Sequence, residues 1–363
     1  MKFVAEKPME NLDDNVQYVS KKNVEWHNSI IKQGHEESTK LLKGLTDLIE
    51  MMQKDLNCID IQLMKEGTKV IEEAANMTKD ELTLALSRAS MPNRTVIITT
   101  VNKAWMEPGG MFDLFMKSFQ IGKGTTPFLK NLLVVAQDER AFNACTQIHP
   151  HCYRLKTPGV DFSGESAYMR GNYVKMTMSK VLLLTNVLRR GYHFLFSDSD
   201  ILWFRNPFQM FSTDVDFEMS ADIYLGNPYE MRNLINTGFM FVRSNNRTVT
   251  MMEIWKNAGK SRPNRNDQDV WYDIKLSENI TRLGLRGRIL DTKYFSGFCE
   301  SGRDLSVVCT MHANCCIGLK AKLHDLTEAL QDWTSFQSSG LNSTNVHWRA
   351  REKCRHTFNK QGP

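Results

Sequence analysis

The chain has 363 residues, of which 41% are apolar and 24% charged, with a formal net charge of +5. So much apolar content in a chain of this length builds a full core, which excludes a disordered protein, and the small charge excludes a nucleic-acid-coating protein or an acidic tail protein. With 21 glycines and 10 prolines fibrous classes are excluded; no apolar run approaches the roughly 18–20 residues of a membrane helix, and the polar start is not that of a signal peptide.

Between Pro8 and Pro92 there is no proline, and Leu41, Leu45, Leu48, Met52, Leu56, Ile59 and Leu63 follow steps of three and four that write a helical stripe. Residues 1–77 carry ten Lys or Arg against fourteen Asp or Glu, leaving the remainder near +9. This shift predicts a helical stem at 1–77 ahead of a basic globular domain at 78–363, although an amphipathic helix packed on that domain would give the same pattern. Such a stem offers a route to a homodimer. Thr78 followed by Glu81 has capping-box spacing and opens a helix to about Ala89, which Pro92 and Asn93 break.

Val96-Ile97-Ile98-Thr99 then reads as a buried strand, Phe112, Leu114, Phe115 and Phe119 as a helix, and Leu132 to Val135 as a second strand. A helix from about Ala141, a Gly-rich loop near Gly159 to Gly171, a helix through Met176, Val181, Leu184 and Val187, and the strand Phe194-Leu195-Phe196 follow. The alternation predicts an α/β fold with a mainly parallel sheet covered by helices on both faces. Ligands of such sheets sit beyond the carboxyl ends of the strands, which directs attention to Thr100 to Asn102, Gln137-Asp138 and Ser197 to Asp200.

Asp198 and Asp200 follow the last of these strands. In an extended segment both carboxylates face one side, a beginning for a divalent cation site of hard oxygen ligands; a solvated turn is the bland alternative. The residue between them, Ser199, is small and leaves such a site undisturbed.

Eight cysteines and five N-x-S/T sequons, at Asn76, Asn93, Asn246, Asn279 and Asn342, lean toward a secreted or lumenal history. Cys145 and Cys152 are close enough for a small disulfide loop, as are Cys299 and Cys309, while Cys315 and Cys316 need partners elsewhere. His149 and His151, interleaved with Cys145 and Cys152, also sketch a zinc site, but the sequons favour the disulfide. Cys58, in the stem, is either free or an intermolecular bridge.

From about Thr95 onward the chain resembles the plant nucleotide-diphospho-sugar transferase family, glycosyltransferase family 77. The resemblance is carried by VIITTVNKAWMEPGGMFDLFMKSF at 96–119, FLFSDSDILWFRNPF at 194–208, INTGFMFVRSNNRT at 235–248, NDQDVW at 266–271, and GFCE with CTMHANCCIGLKAKLHDL within 297–326. It leaves the stem uncovered. It implies a GT-A fold of Rossmann-like, mainly parallel sheet, and a retaining, metal-dependent glycosyltransferase. The sugar, a pentose such as arabinose or xylose, would pass from a UDP-sugar to a cell-wall polysaccharide or glycoprotein.

By the same resemblance Asp198, Asp200 and His312 are the expected ligands of Mn2+ or Mg2+. Thr100, Asn102, Lys180, Asn236, Gly238, Gly318 and Lys322 are expected to bind the nucleotide-sugar, and Asp267, Gln268 and Asp269 to act at the donor sugar. Lys180 and Lys322 are alternatively surface lysines, and Trp105 either stacks on a ring or belongs to the core. The family suggests the Golgi lumen; its members usually carry a membrane anchor, and none is seen here. An aspartate-nucleophile phosphohydrolase also places D-x-D after an apolar strand, but wants Thr or Val where this chain has Leu202. A scaffold with a degenerate transferase domain is the non-enzymatic rival, against which the retained aspartates, His312 and the Asp267-Gln268 pair argue.

Overall fold

The computed structural model describes residues 42–51, 80–156, 171–339 and 347–358. The chain divides into two units, Met1–Thr83 and Leu84–Pro363. In the first, residues 42–51 are helical. The rest of the expected stem stripe, the stem boundary at 77, Cys58, Thr78, Asn76, Asn342 and most of the Gly-rich loop lie outside the described residues. Elements are numbered here from residue 80.

Helix α1 (Glu81–Ala89) is capped by Asp80, whose Oδ1 accepts from Thr83 N at 2.6 Å, so the cap sits two residues later than Thr78. Strand β1 (Thr95–Val101), helix α2 (Met111–Ile121), β2 (Leu132–Ala136), α3 (Glu139–Ile148), β3 (Cys152–Arg154), α4 (Gly171–Arg189) and β4 (His193–Ser197) complete the alternating half. The elements the periodicity leaves unread come next: β5 (Ile201–Trp203), β6 (Phe217–Ile223), β7 (Leu234–Val242), α5 (Asn246–Lys260), α6 (Asp267–Ile274), α7 (Glu278–Thr281), β8 (Gly287–Ile289), β9 (Phe295–Gly297), β10 (Thr310–His312), α8 (Leu319–Ser338) and α9 (Glu352–Phe358).

Seven strands form one sheet in the order β3-β2-β1-β4-β7-β6-β8, flanked by helices, and four of its six pairings are parallel. The mainly parallel α/β sheet expected from the sequence is thus what the chain forms. Strand β7 runs antiparallel to both β4 and β6. Its amino-terminal half therefore lies beside the carboxyl ends of β4 and β6, and one edge of the sheet gathers the ends of β1, β4 and β6 with the start of β7. A second sheet, β5-β10-β9, brings the late part of the chain back to the same edge.

The core explains why these strands are apolar throughout rather than alternating. Strands β2 and β4 are covered on both faces, and every residue of β2 is buried. Trp203, fully buried, stacks on Phe119 with centroids 4.4 Å apart and donates its indole N–H to Ser197 Oγ at 3.1 Å, so the strand that precedes the aspartates is fixed by both packing and a hydrogen bond. No helix among the described residues is long and apolar enough to cross a membrane.

Candidate donor and metal site

Asp198 and Asp200 stand where β4 leaves the sheet. Asp198 N donates to Gly238 O at 2.7 Å, and Ala313 N donates to Asp200 O at 3.1 Å, so the turn is clamped between β7 and the segment after β10. The antiparallel register of β10 on β5 sets His312 opposite Ile201 and carries its ring to the turn. The ligand atoms of Asp198, Asp200 and His312 lie within 4.8 Å of one another. A Cβ on Gly238 would lie 2.5 Å from Asp198 Oδ2 and 2.6 Å from His312 Cε1, so the three side chains close around a position that only glycine tolerates. Two carboxylates and an imidazole suit a hard or borderline divalent cation, and these residues fit one.

The two carboxylates are buried beside lysines and a histidine, and their electrostatics differ. Burial, with the neighbouring Asp200 adding to it, pushes the Asp198 carboxyl up to about 6 against the pull of Lys180. Burial also opposes ionisation of Asp200, but Lys322 and His312 outweigh it and hold that carboxyl well below the usual range. Lys322 Nζ is 2.6 Å from Asp200 Oδ2, and His312 Nε2 is 3.4 Å from Oδ1.

On the opposite wall Lys180, from α4, is 5% exposed and sits 2.5 Å from Asp267 Oδ2. Burial works against its ammonium, yet Asp267 and Asp198 overcome this and hold its pKa above the ordinary value. Asp267 opens α6 behind the N-cap Asn266, whose Oδ1 accepts from Asp269 N at 2.9 Å. Thr237 Oγ1 donates to Asp267 Oδ2 at 2.8 Å, and Thr237 N to Gln268 Oε1 at 3.2 Å, joining β7 to the start of α6.

At the floor, Asp222 at the end of β6 accepts from Asn236 Nδ2 and Asn314 Nδ2, each at 2.8 Å, and from Gln268 Nε2 at 3.1 Å. The ladder of β6 on β7 is irregular at this residue, between Ala221 and Ile223. Sequence reasoning assigned Asp222 and Asn314 no role; the available signal was an acid at a strand end and an amide two residues past His312.

All thirteen expected metal, nucleotide-sugar and catalytic positions line one cleft of about 770 Å3: Thr100, Asn102, Lys180, Asp198, Asp200, Asn236, Gly238, Asp267, Gln268, Asp269, His312, Gly318 and Lys322. Trp105 lines it too, half-buried, with Lys322 Nζ 6.0 Å from its ring centroid. Gln137 is a further lining residue, and its Nε2 is buried without a hydrogen-bond partner among the described residues. Asp138 instead caps α3 through Ala141 N at 2.9 Å. Gly318 has a φ of +93° at the head of α8, a conformation glycine adopts freely.

The cysteines correct one expectation. Cys145 is bonded to Cys152, while His149 Nε2 lies 2.7 Å from Leu132 O, so that segment is a disulfide loop and not a zinc site. Cys299, however, is bonded to Cys315, Cys316 to Cys354, and Cys309 is a buried free thiol. The expected Cys299–Cys309 bridge fails because β9 and β10 are parallel and in register, with Phe295 beside Thr310 and Gly297 beside His312. That register carries Cys299 on to Asn314, whose Oδ1 accepts from Cys299 N at 3.1 Å, and leaves Cys309 at the other end of the pairing, donating its N–H to Tyr294 O. Burial pushes the Cys309 thiol up to about 11, against nearby Arg205. The three sequons among the described residues, Asn93, Asn246 and Asn279, are all exposed.

Similarity to known proteins points to a family. A family model described as nucleotide-diphospho-sugar transferase matches residues 127–326. An uncharacterized protein of Arabidopsis thaliana is 43% identical over 272 residues, 74% of this chain and 72% of that protein. A UDP-galactose:fucoside alpha-3-galactosyltransferase of Dictyostelium discoideum is 28% identical over 173 residues, 39% of this chain and 26% of that protein. A beta-arabinofuranosyltransferase of Arabidopsis thaliana is 32% identical over 117 residues, 31% of this chain and 21% of that protein.

Proposed function

This chain belongs to the nucleotide-diphospho-sugar transferase family and is a glycosyltransferase, and from that premise we propose that it is metal-dependent and retaining. In this reading it moves a pentose, arabinose or xylose, from a UDP-sugar to a cell-wall polysaccharide or glycoprotein. The observation that carries the reading is the Asp198, Asp200 and His312 cluster facing the buried Lys180–Asp267 pair across one cleft. The pentose rests on the arabinofuranosyl relative; the galactosyl relative supports the class of chemistry and not the sugar.

Transfer breaks the bond between the anomeric carbon and the diphosphate oxygen and forms one to an acceptor hydroxyl oxygen, whose proton departs. Mn2+ or Mg2+ held by Asp198, Asp200 and His312 would neutralise the charge that gathers on the departing diphosphate. Lys322 adds a positive charge beside it, and Gly318 with the amino terminus of α8 offers backbone N–H groups to phosphate oxygens.

Thr100, Asn102 and the Gln137 amide, whose Nε2 has no partner among the described residues, suit the uracil and ribose. Asp222, Asn236, Gln268 and Asn314 form a net of carboxylate and amides suited to sugar hydroxyls, which need both donors and acceptors. Asp267 already accepts from Lys180 and Thr237, which favours a holding role over nucleophilic attack. Asp269, whose carboxyl burial pushes above its ordinary value against the pull of Arg265, completes the wall.

Three disulfides and the exposed sequons support an oxidising, lumenal compartment such as the Golgi. The test is turnover of a panel of UDP-sugars with Mn2+, with NMR of the anomeric proton of the product. Release of UDP from one pentose donor with retained configuration supports the proposal. Turnover of phosphate monoesters alone, or of nothing by protein that binds no UDP, overturns it.

A further inference from the structure

Cys315, which lines the donor cleft, also lines a second one of about 1120 Å3. One wall is the segment after β9, from Phe298 to Asp304, and the other the segment from His347 through α9 to His356. Three bonds hold these parts in place. Cys316 is bonded to Cys354, Arg351 Nη1 donates to Phe298 O at 2.8 Å, and Trp348 Nε1 donates to Gly302 O at 2.8 Å. The two loop segments that wall the cleft are therefore tied together by a disulfide and two hydrogen bonds.

Its charge is one-sided. Among the described residues that line it, Arg303, Arg349, Arg351 and Arg355 stand against the carboxylates Asp304 and Glu352. Arg349 is engaged by Asp332 at 2.6 Å and Arg351 by the Phe298 carbonyl, while Asp304 accepts from Ser306 N at 2.8 Å. Arg303 and Arg355 are exposed and have no carboxylate partner among the described residues. Trp348, stacked on Phe204 with centroids 5.5 Å apart, is half-buried and lines the same cleft. Guanidinium forks match carboxylates, and an aromatic surface suits the apolar face of a sugar ring.

We propose that this cleft binds the acceptor, and that the acceptor is an acidic glycan whose uronate carboxylates meet Arg303 and Arg355. The inference rests on the transferase reading for its meaning, because Cys315 lines both clefts and so sets the second one beside the donor site. A neutral acceptor would leave two cations without partners at the surface that handles it.

The experiment is calorimetric binding of an oligogalacturonide, its methyl ester and a neutral xylo-oligosaccharide to the full chain, with UDP and Mn2+ titrated separately. The oligogalacturonide is expected to bind and the other two not, with affinity falling as salt rises. The Arg303→Ala/Arg355→Ala variant should weaken it by about tenfold or more and leave UDP binding unchanged. Equal binding of acid and ester, undiminished binding by the variant, or no glycan binding by protein that binds UDP would each overturn the proposal. Loss of UDP binding in the wild type would instead sink the donor-site reading, and the ester comparison would still decide this one.

Discussion

Lys322 places its ammonium 2.6 Å from Asp200 Oδ2, on the far oxygen from the one that His312 Nε2 approaches at 3.4 Å. A buried carboxylate is thus held ionised by two neighbours from the β10–α8 segment, of which Lys322 lies 122 residues along the chain. Replacing Lys322 by Met should leave Asp200 free to serve a cation but remove charge from the diphosphate. The expected outcome is a loss of about 10²-fold in kcat with metal affinity unchanged or improved, read from steady-state kinetics and Mn2+ titration.

Lys180 and Asp267 are 5% and 3% exposed and pair at 2.5 Å. Removing one partner of such a pair strands the other charge, so Lys180→Met should cost about 3–5 kcal/mol in urea unfolding. Pairing it with Asp267→Leu should restore most of that stability while activity stays lost. A double variant as unstable as the single would contradict the assignment.

The Asp198 carboxyl is raised to about 6, chiefly by burial. A raised acid binds its proton more tightly folded than unfolded, so the metal-free protein should lose stability as pH climbs from about 4 to about 6, by roughly 2 kcal/mol. Asp198→Asn should remove that slope. Urea denaturation in EDTA across this range reads it directly, and parallel profiles for the two proteins would refute it.

Gly238→Ala would drive a methyl to 2.5 Å from Asp198 Oδ2 and 2.6 Å from His312 Cε1. The expected result is a chain that folds but binds Mn2+ at least about tenfold more weakly, measured by calorimetry against circular dichroism as the control.

Cys309 is buried with a thiol raised to about 11. Maleimide should label it only in denaturant, and peptide mapping should recover the Cys299–Cys315 and Cys316–Cys354 pairs.

Much of the site was legible because the chain writes it in short blocks at strand ends. Asp198 and Asp200 follow a run of β-sheet residues, and both the alternating period and the resemblance point to them. Asp222 was hidden because β6 is an antiparallel-neighboured strand with an irregular ladder, so no periodicity announced where it ends. The cysteine pairing failed for a related reason. Spacing along the chain favours Cys299 with Cys309, whereas strand register decides, and register comes from which strands pair rather than from how many residues separate them. Strands β5, β8, β9 and β10, three residues each, are too short to carry a pattern.

The measurement that bears most directly on the account is titration of UDP into the protein with Mn2+, with EDTA, and into Asp200→Ala with Mn2+. Binding in the first case and its loss in the other two is the predicted result. UDP binding of equal strength in EDTA, or in the variant, would contradict a nucleotide held through a cation at Asp198, Asp200 and His312.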